Sequence, residues 1–143
     1  MEEKAMKRTA VMLAVTLAVG IALATFGGRS SNAQQEPLKR TMLLRTDLKG
    51  LDGKEGVLLL VELAPGAAAG KHYHPGNEVL YVLEGSGILE IEGKPPITLQ
   101  AGTASHIPDG EAHNPKNTSA TGPLKLLVFW VAEKGQPLAV PVK

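Results

Sequence analysis

The chain has 143 residues, room for one domain and little else. From Gln34 onward it carries 11 Lys and Arg against 12 Asp and Glu, so it lacks the basic patch that phosphate-backbone binding needs, and no nucleic-acid partner is expected. The absence of cysteine excludes disulfides, thiolate ligands, an iron–sulfur cluster and a lipid-modified N-terminal cysteine.

Residues 1–8, MEEKAMKR, are a short charged start, followed by an apolar run over 9–28 and the small-residue site Ser31-Asn32-Ala33. This order reads as a secretory signal peptide over residues 1–33, cut before Gln34. The apolar run approaches spanning length, so an uncleaved anchor is the competing reading, and membrane contact is expected only through it. On either reading the domain that follows is extracytoplasmic, and periplasmic if the source is a Gram-negative bacterium.

Residues 34–56 read as an N-terminal arm with a first strand at 41–46 and a polar two-glycine turn at 51–56. The run VLLLVEL at 57–63 is short enough for a strand buried on both faces, and APGAAAG at 64–70 is a small-residue loop. Over 78–84, Leu80 and Val82 share the face of Glu78 while Val79, Tyr81 and Leu83 take the other. Both faces are apolar, as in a sandwich or at a subunit interface. ILEIE at 88–92 alternates, with Leu89 and Ile91 inward; Lys94-Pro95-Pro96 interrupts it, and a strand returns at 97–100. LKLLVFWV at 124–131 is the last predicted strand, and the tail at 135–143, with two prolines, is expected to cross the surface of the domain or of a partner. No long amphipathic helix follows the leader. Short strands at regular spacing with Gly and Pro turns give an all-β chain, either a double-sheet jelly roll or a barrel. The apolar outer faces of 79–83 and 124–131 exceed what one small domain hides, so a homodimer is expected.

Against this apolar background His72, His74 and Glu78 need a reason, because buried imidazoles and carboxylates are costly without partners. His72 and His74 share a strand face. On one straight strand Glu78 would lie roughly 20 Å from His72, whereas donors to a common ion sit about 2.0–2.2 Å from it. A reversal is therefore predicted at Pro75-Gly76-Asn77, with the histidines closing one strand and Glu78 opening its ladder neighbour. A second unit at 102–117 has a Pro108-Asp109-Gly110 turn with His113 just past it, the natural fourth ligand. His106 fits no ligand position and reads as structural or pocket-lining. Asp109 and Glu111 read as solvated turn carboxylates, with a base at the domain's mouth as the competing reading.

Together these residues resemble the two cupin motifs. Gly66, His72, His74, Glu78 and Gly85 fill the first at its spacing, and Gly102, Pro108, Gly110, His113 and Asn117 fill the second. The chain is similar to small single-domain, quercetin-dioxygenase-like members. The resemblance implies a double-stranded β-helix jelly-roll barrel of the RmlC-like kind, with its core at 57–134. It also implies one divalent first-row transition metal (Fe, Mn, Ni, Cu or Zn), held in the mouth by His72, His74, Glu78 and His113. Gly66, Gly85, Gly102 and Gly110 then serve positive φ or close backbone approach, and Asn117 closes a turn.

Three imidazoles and a carboxylate leave open positions on a divalent ion, which suits Lewis-acid or oxygen chemistry. The expected function is a metal-dependent, dioxygenase-like oxidoreductase for a small oxygenated organic substrate, with Glu78 both ligand and catalytic proton acceptor. A non-catalytic module binding a small molecule or the metal, and a metal-dependent isomerase or lyase, are the alternatives. Of the aromatics after the leader, Tyr73 and Tyr81 have the wrong parity to face the ion. At most Phe129 or Trp130 could stack on a ligand, so a small aliphatic pocket is expected.

Overall fold

The computed structural model describes residues 36–143, which form two five-stranded antiparallel sheets. The first sheet has the order β1-β2-β9-β4-β7, built from Leu38–Asp47, Lys54–Leu63, Leu124–Glu133, Gly76–Glu84 and Ala104–Ile107. The second has the order β10-β3-β8-β5-β6, built from Val140–Pro141, His72–Tyr73, His113–Asn117, Ser86–Ile91 and Ile97–Gln100. This is an all-β jelly-roll barrel. The predicted signal peptide and its cleavage site lie outside the described residues.

Period-two alternation makes the core. Val57, Leu59, Val61 and Leu63 of β2 and Leu124, Leu126, Val128 and Trp130 of β9 are buried on one face. Leu80 and Val82 of β4 join them, and Leu89, Ile91 and Leu99 close over them from the second sheet. Each fully buried leucine here contributes about 1.5–3 kcal/mol. The outer face of the first sheet is different. Leu58 and Leu60 are half-buried, and Val79, Tyr81, Leu83 and Phe129 are exposed. The expectation of a strand at 57–63 buried on both faces thus fails, because among the described residues no layer covers that outer surface.

The first strand is longer than predicted, running from Leu38 to Asp47, with a bulge between Met42 and Leu44. As the edge strand it pairs, among the described residues, only with β2. Directly opposed residues share a face, so Arg40 opposite Val61 and Met42 opposite Leu59 stand on the inward side. Beyond the bulge Arg45 forks onto Glu55, with both nitrogen-to-oxygen distances 2.7 Å.

The chain does reverse near Pro75, but not as a hairpin. β3 pairs with β8 and β10, whereas β4 pairs with β7 and β9 in the other sheet. The predicted ladder contact between the histidine strand and the Glu78 strand is therefore wrong, and the chain crosses between sheets there. Gly76 makes the crossing possible: its φ is 137°, and a Cβ would collide with the Val131 carbonyl. Its N–H donates to Asp109 Oδ1 at 2.8 Å, tying this crossing to the one between β7 and β8. The four motif glycines all have positive φ, and at Gly85 a Cβ would also strike the Pro123 carbonyl.

Candidate metal centre

The two crossings put the polar residues at one end of the barrel. His72 faces His113 directly across the β3–β8 ladder, and His74 lies just past β3 where the chain leaves that sheet. Glu78 comes from the opposite sheet, between Trp130 of β9 and Ile107 of β7. The three imidazole centroids are 4.8, 4.5 and 5.1 Å apart, and their candidate ligand atoms all lie within 4.8 Å of one another. All four side chains are buried, Glu78 and His113 almost completely.

The backbone sets the orientation of each ring. His72 Nδ1 donates to the Gly70 carbonyl at 2.7 Å and His113 Nδ1 to the Glu111 carbonyl at 2.9 Å. His74 Nδ1 donates to the Leu138 carbonyl in the tail. With the proton held on Nδ1, each Nε2 keeps a free lone pair, the tautomer a metal requires. The tail therefore enters the site, where the sequence suggested only surface coverage; β10 pairs with β3 and brings Leu138 over His74.

Glu78 Oε2 lies 2.8 Å from His74 Nε2 and 3.4 Å from His113 Nε2, yet it is buried without a hydrogen bond. Lone pairs facing one another at such distances need a cation between them. Two donors each about 2.1 Å from one ion, at tetrahedral or octahedral angles, are separated by about 3.0–3.4 Å, close to the spacing here. A proton could satisfy one of these pairs, whereas a metal ion satisfies the whole cluster. The buried histidine trio can thus hold an ion, and the orphaned carboxylate fits one.

The titration behaviour follows the same crowding. Burial, reinforced by the neighbouring His113 and His74, pushes His72 down to about 4. Burial alone would raise the Glu78 carboxyl, but the facing imidazoles of His113 and His74 outweigh it and hold it at about 2. Burial likewise opposes charge on His113, but Glu78 outweighs it and raises the imidazole above its ordinary value.

Beside the cluster is a cavity of about 30 Å³, room for a water or two beside an ion. Its walls are mainly aliphatic, with Leu59, Val61, Leu80, Leu126 and Val128, as expected. Trp130 is its aromatic wall, stacked on His74 at 4.8 Å and 29° between planes, while Phe129 points to the outer surface. His106 does not line it; the ring is exposed on the outer face opposite Val79 and pairs with Asn77 Oδ1 at 3.1 Å. Glu111 is not merely solvated either, because it pairs with Lys94 at 2.5 Å while its carbonyl holds His113. Arg40 lines the cavity and was missed from sequence, since only the register of β1 on β2 brings it there.

Comparison with known proteins agrees with the fold. The chain is 31% identical over 74 residues to the oxalate-binding protein of Thermotoga maritima, a match covering 51% of this chain and 60% of that protein. Among solved structures it resembles the DMSP lyase DddQ from Ruegeria pomeroyi DSS-3, with TM-score 0.61, 23% identity, and coverage of 81% of this chain and 57% of that one. It also resembles an RmlC-like cupin from Shewanella frigidimarina NCIMB 400, with TM-score 0.55, 22% identity, and coverage of 69% and 79%. The chain spans less than two thirds of the first two proteins. The cupin-domain family model matches residues 59–130, half of the chain and most of the barrel, and the chain therefore belongs to the cupin family.

Proposed function

We propose that the barrel binds one divalent first-row transition metal through the Nε2 atoms of His72, His74 and His113 and the Glu78 carboxylate, and uses it to engage a small oxygenated organic molecule. The observation that carries this reading is the set of Nδ1–carbonyl bonds, which turns the Nε2 atoms of His74 and His113 toward a buried carboxylate oxygen that has no hydrogen bond. When bound, such an ion supplies Lewis-acid polarisation of oxygen donors and, for a redox-active metal, a route into dioxygen chemistry. The chain itself supplies the rest. The aliphatic walls limit water around the reacting molecule. Glu78 is the only carboxylate lining the cavity among the described residues, and it is the catalytic proton acceptor in this reading.

A quercetin-dioxygenase-like oxidoreductase is the activity to test first. Protein loaded with Fe, Mn, Ni, Cu or Zn is assayed for oxygen uptake across a diol and enol panel; no uptake with any metal refutes it. A non-catalytic binding role is the second reading, favoured by the small cavity and by the name of the Thermotoga relative. Ligand recovered unchanged after prolonged incubation supports it, whereas conversion without oxygen indicates isomerase or lyase chemistry.

The exposed Val79, Tyr81, Leu83 and Phe129 lie together on the outer face of β4 and β9, and a second copy of this chain is the proposed cover. A strictly monomeric mass in dilute solution removes that proposal. Residues 1–33 export the domain in this reading. Mature protein from its native host then starts at Gln34 outside the cytoplasm, and a cytoplasmic fraction bearing Met1 refutes it.

A further inference from the structure

The cavity has one cationic side chain in its wall, and nothing in the metal site uses it. Arg40 stands opposite Val61 on the inward side of β1, and it remains exposed because β1 is the edge strand. Arg45, further along the same strand, is forked onto Glu55. Arg40 has no carboxylate within ion-pair distance among the described residues, although it borders the cavity that holds Glu78. A surface arginine without an ion pair among the described residues is ordinary by itself. This one borders an otherwise aliphatic cavity beside a candidate metal centre.

A second observation points the same way. Trp130 is only 2% exposed, and its indole N–H is buried without an acceptor. The ring lines the same cavity and stacks on His74. The residues lining the cavity thus include Arg40 and Trp130, whose N–H is buried without an acceptor, while the one carboxylate there is turned to the imidazoles. Charge gives the same sign. Neutral imidazoles and one carboxylate leave a divalent ion with a net single positive charge, and Arg40 adds another. Uncompensated charge against aliphatic walls is costly, so the complementary occupant is an anion.

We infer that the ligand is a compact carboxylate-bearing anion, and that Arg40 is the residue that recognises its carboxylate. The inference rests on the metal reading above and narrows its ligand from oxygenated molecules in general to carboxylates. The guanidinium fork suits a carboxylate's paired oxygens, whereas a neutral diol gives it no charge-assisted bond.

The test is calorimetric titration of the metal-loaded protein with oxalate and with its uncharged diamide, oxamide, checking metal content before and after. Wild-type protein binds oxalate in preference to oxamide. Arg40→Gln weakens oxalate binding by about 10- to 100-fold at unchanged metal content, and Arg40→Lys falls between. Thermal melting confirms that both variants fold. Equal oxalate affinity in wild type and Arg40→Gln, or oxamide bound as well as oxalate, overturns the assignment of Arg40. A metal-loaded protein that ignores oxalate also overturns it while leaving the metal reading standing. A wild-type protein that takes up no ion overturns both.

Discussion

Asn117 ends β8, the strand that also carries His113, and its side chain ties together three chain segments. Its Nδ2 donates to the carbonyls of Leu63 and Ala64 at 3.0 Å each and of Gly122 at 2.9 Å, while Oδ1 accepts from the Ser119 N–H at 2.9 Å. The residue is 3% exposed, so water does not readily replace these bonds. An amide has two N–H hydrogens for three carbonyls, so the donor side counts as two full bonds and the acceptor side as one. At about 1 kcal/mol net per bond, and somewhat more for groups left buried, Asn117→Ala costs roughly 2–4 kcal/mol. For a domain of this size, that lowers Tm by roughly 10–25 °C. Asn117→Asp is the sharper test. It keeps the acceptor for Ser119 but turns a carboxylate oxygen toward three carbonyl oxygens, so it is worse than alanine at pH 7 although closer in shape. The assay is thermal and urea melting of all three proteins, with the urea m-value unchanged if the native fold is kept. An aspartate variant as stable as the alanine one, or an alanine variant within about 3 °C of wild type, would falsify this account.

Three further outcomes are expected. Adding a binding metal at about 100 times its Kd stabilises the wild-type protein by about 2.7 kcal/mol; His72→Ala, His74→Ala and His113→Ala each abolish that increment, as read by Tm with and without chelator. Trp130 is the chain's only tryptophan and stacks on His74, so its fluorescence is quenched by one equivalent of a paramagnetic ion such as copper; quenching that survives His74→Ala shows the ion binding elsewhere. The Arg45 fork lowers the Glu55 carboxyl below its ordinary value of 4.5. The unfolded chain then takes up that proton first as pH falls, so the pair's stabilisation is complete above about pH 4.5 and is lost below it. Urea midpoints of wild type and Glu55→Gln converge between pH 5 and 3 if this is right, and a gap that stays constant with pH refutes it.

The candidate donors could be picked out from sequence because they depend on short spacings, His-x-His and a turn before His113, which the chain keeps whatever sheet each strand joins. Pairing could not be read in the same way. A reversal at Pro75-Gly76-Asn77 is compatible with a hairpin or with a crossing between sheets, and local turn chemistry does not distinguish them; β4 goes to β9 because their long apolar faces match over most of their length. Arg40 depended on the register of an edge strand whose residues are mostly exposed, so no burial pattern marked it. The carbonyls of Gly70, Glu111 and Leu138 left no trace at all, since every residue has one.

The crossing that defeated the hairpin reading is also what gives the site its leverage. In a hairpin, donors on neighbouring strands would be tied by ladder hydrogen bonds already, and an ion would add little to the fold. Here His72 and His113 belong to one sheet and Glu78 to the other, so the donors face one another across the barrel. A cation held by both groups is a strap between sheets, with the tail fastened to it through Leu138 and His74. Metal loading must then protect β3, β4, β8 and the tail together from amide exchange. Protection confined to β3 and β8 would show that Glu78 takes no part in holding the ion.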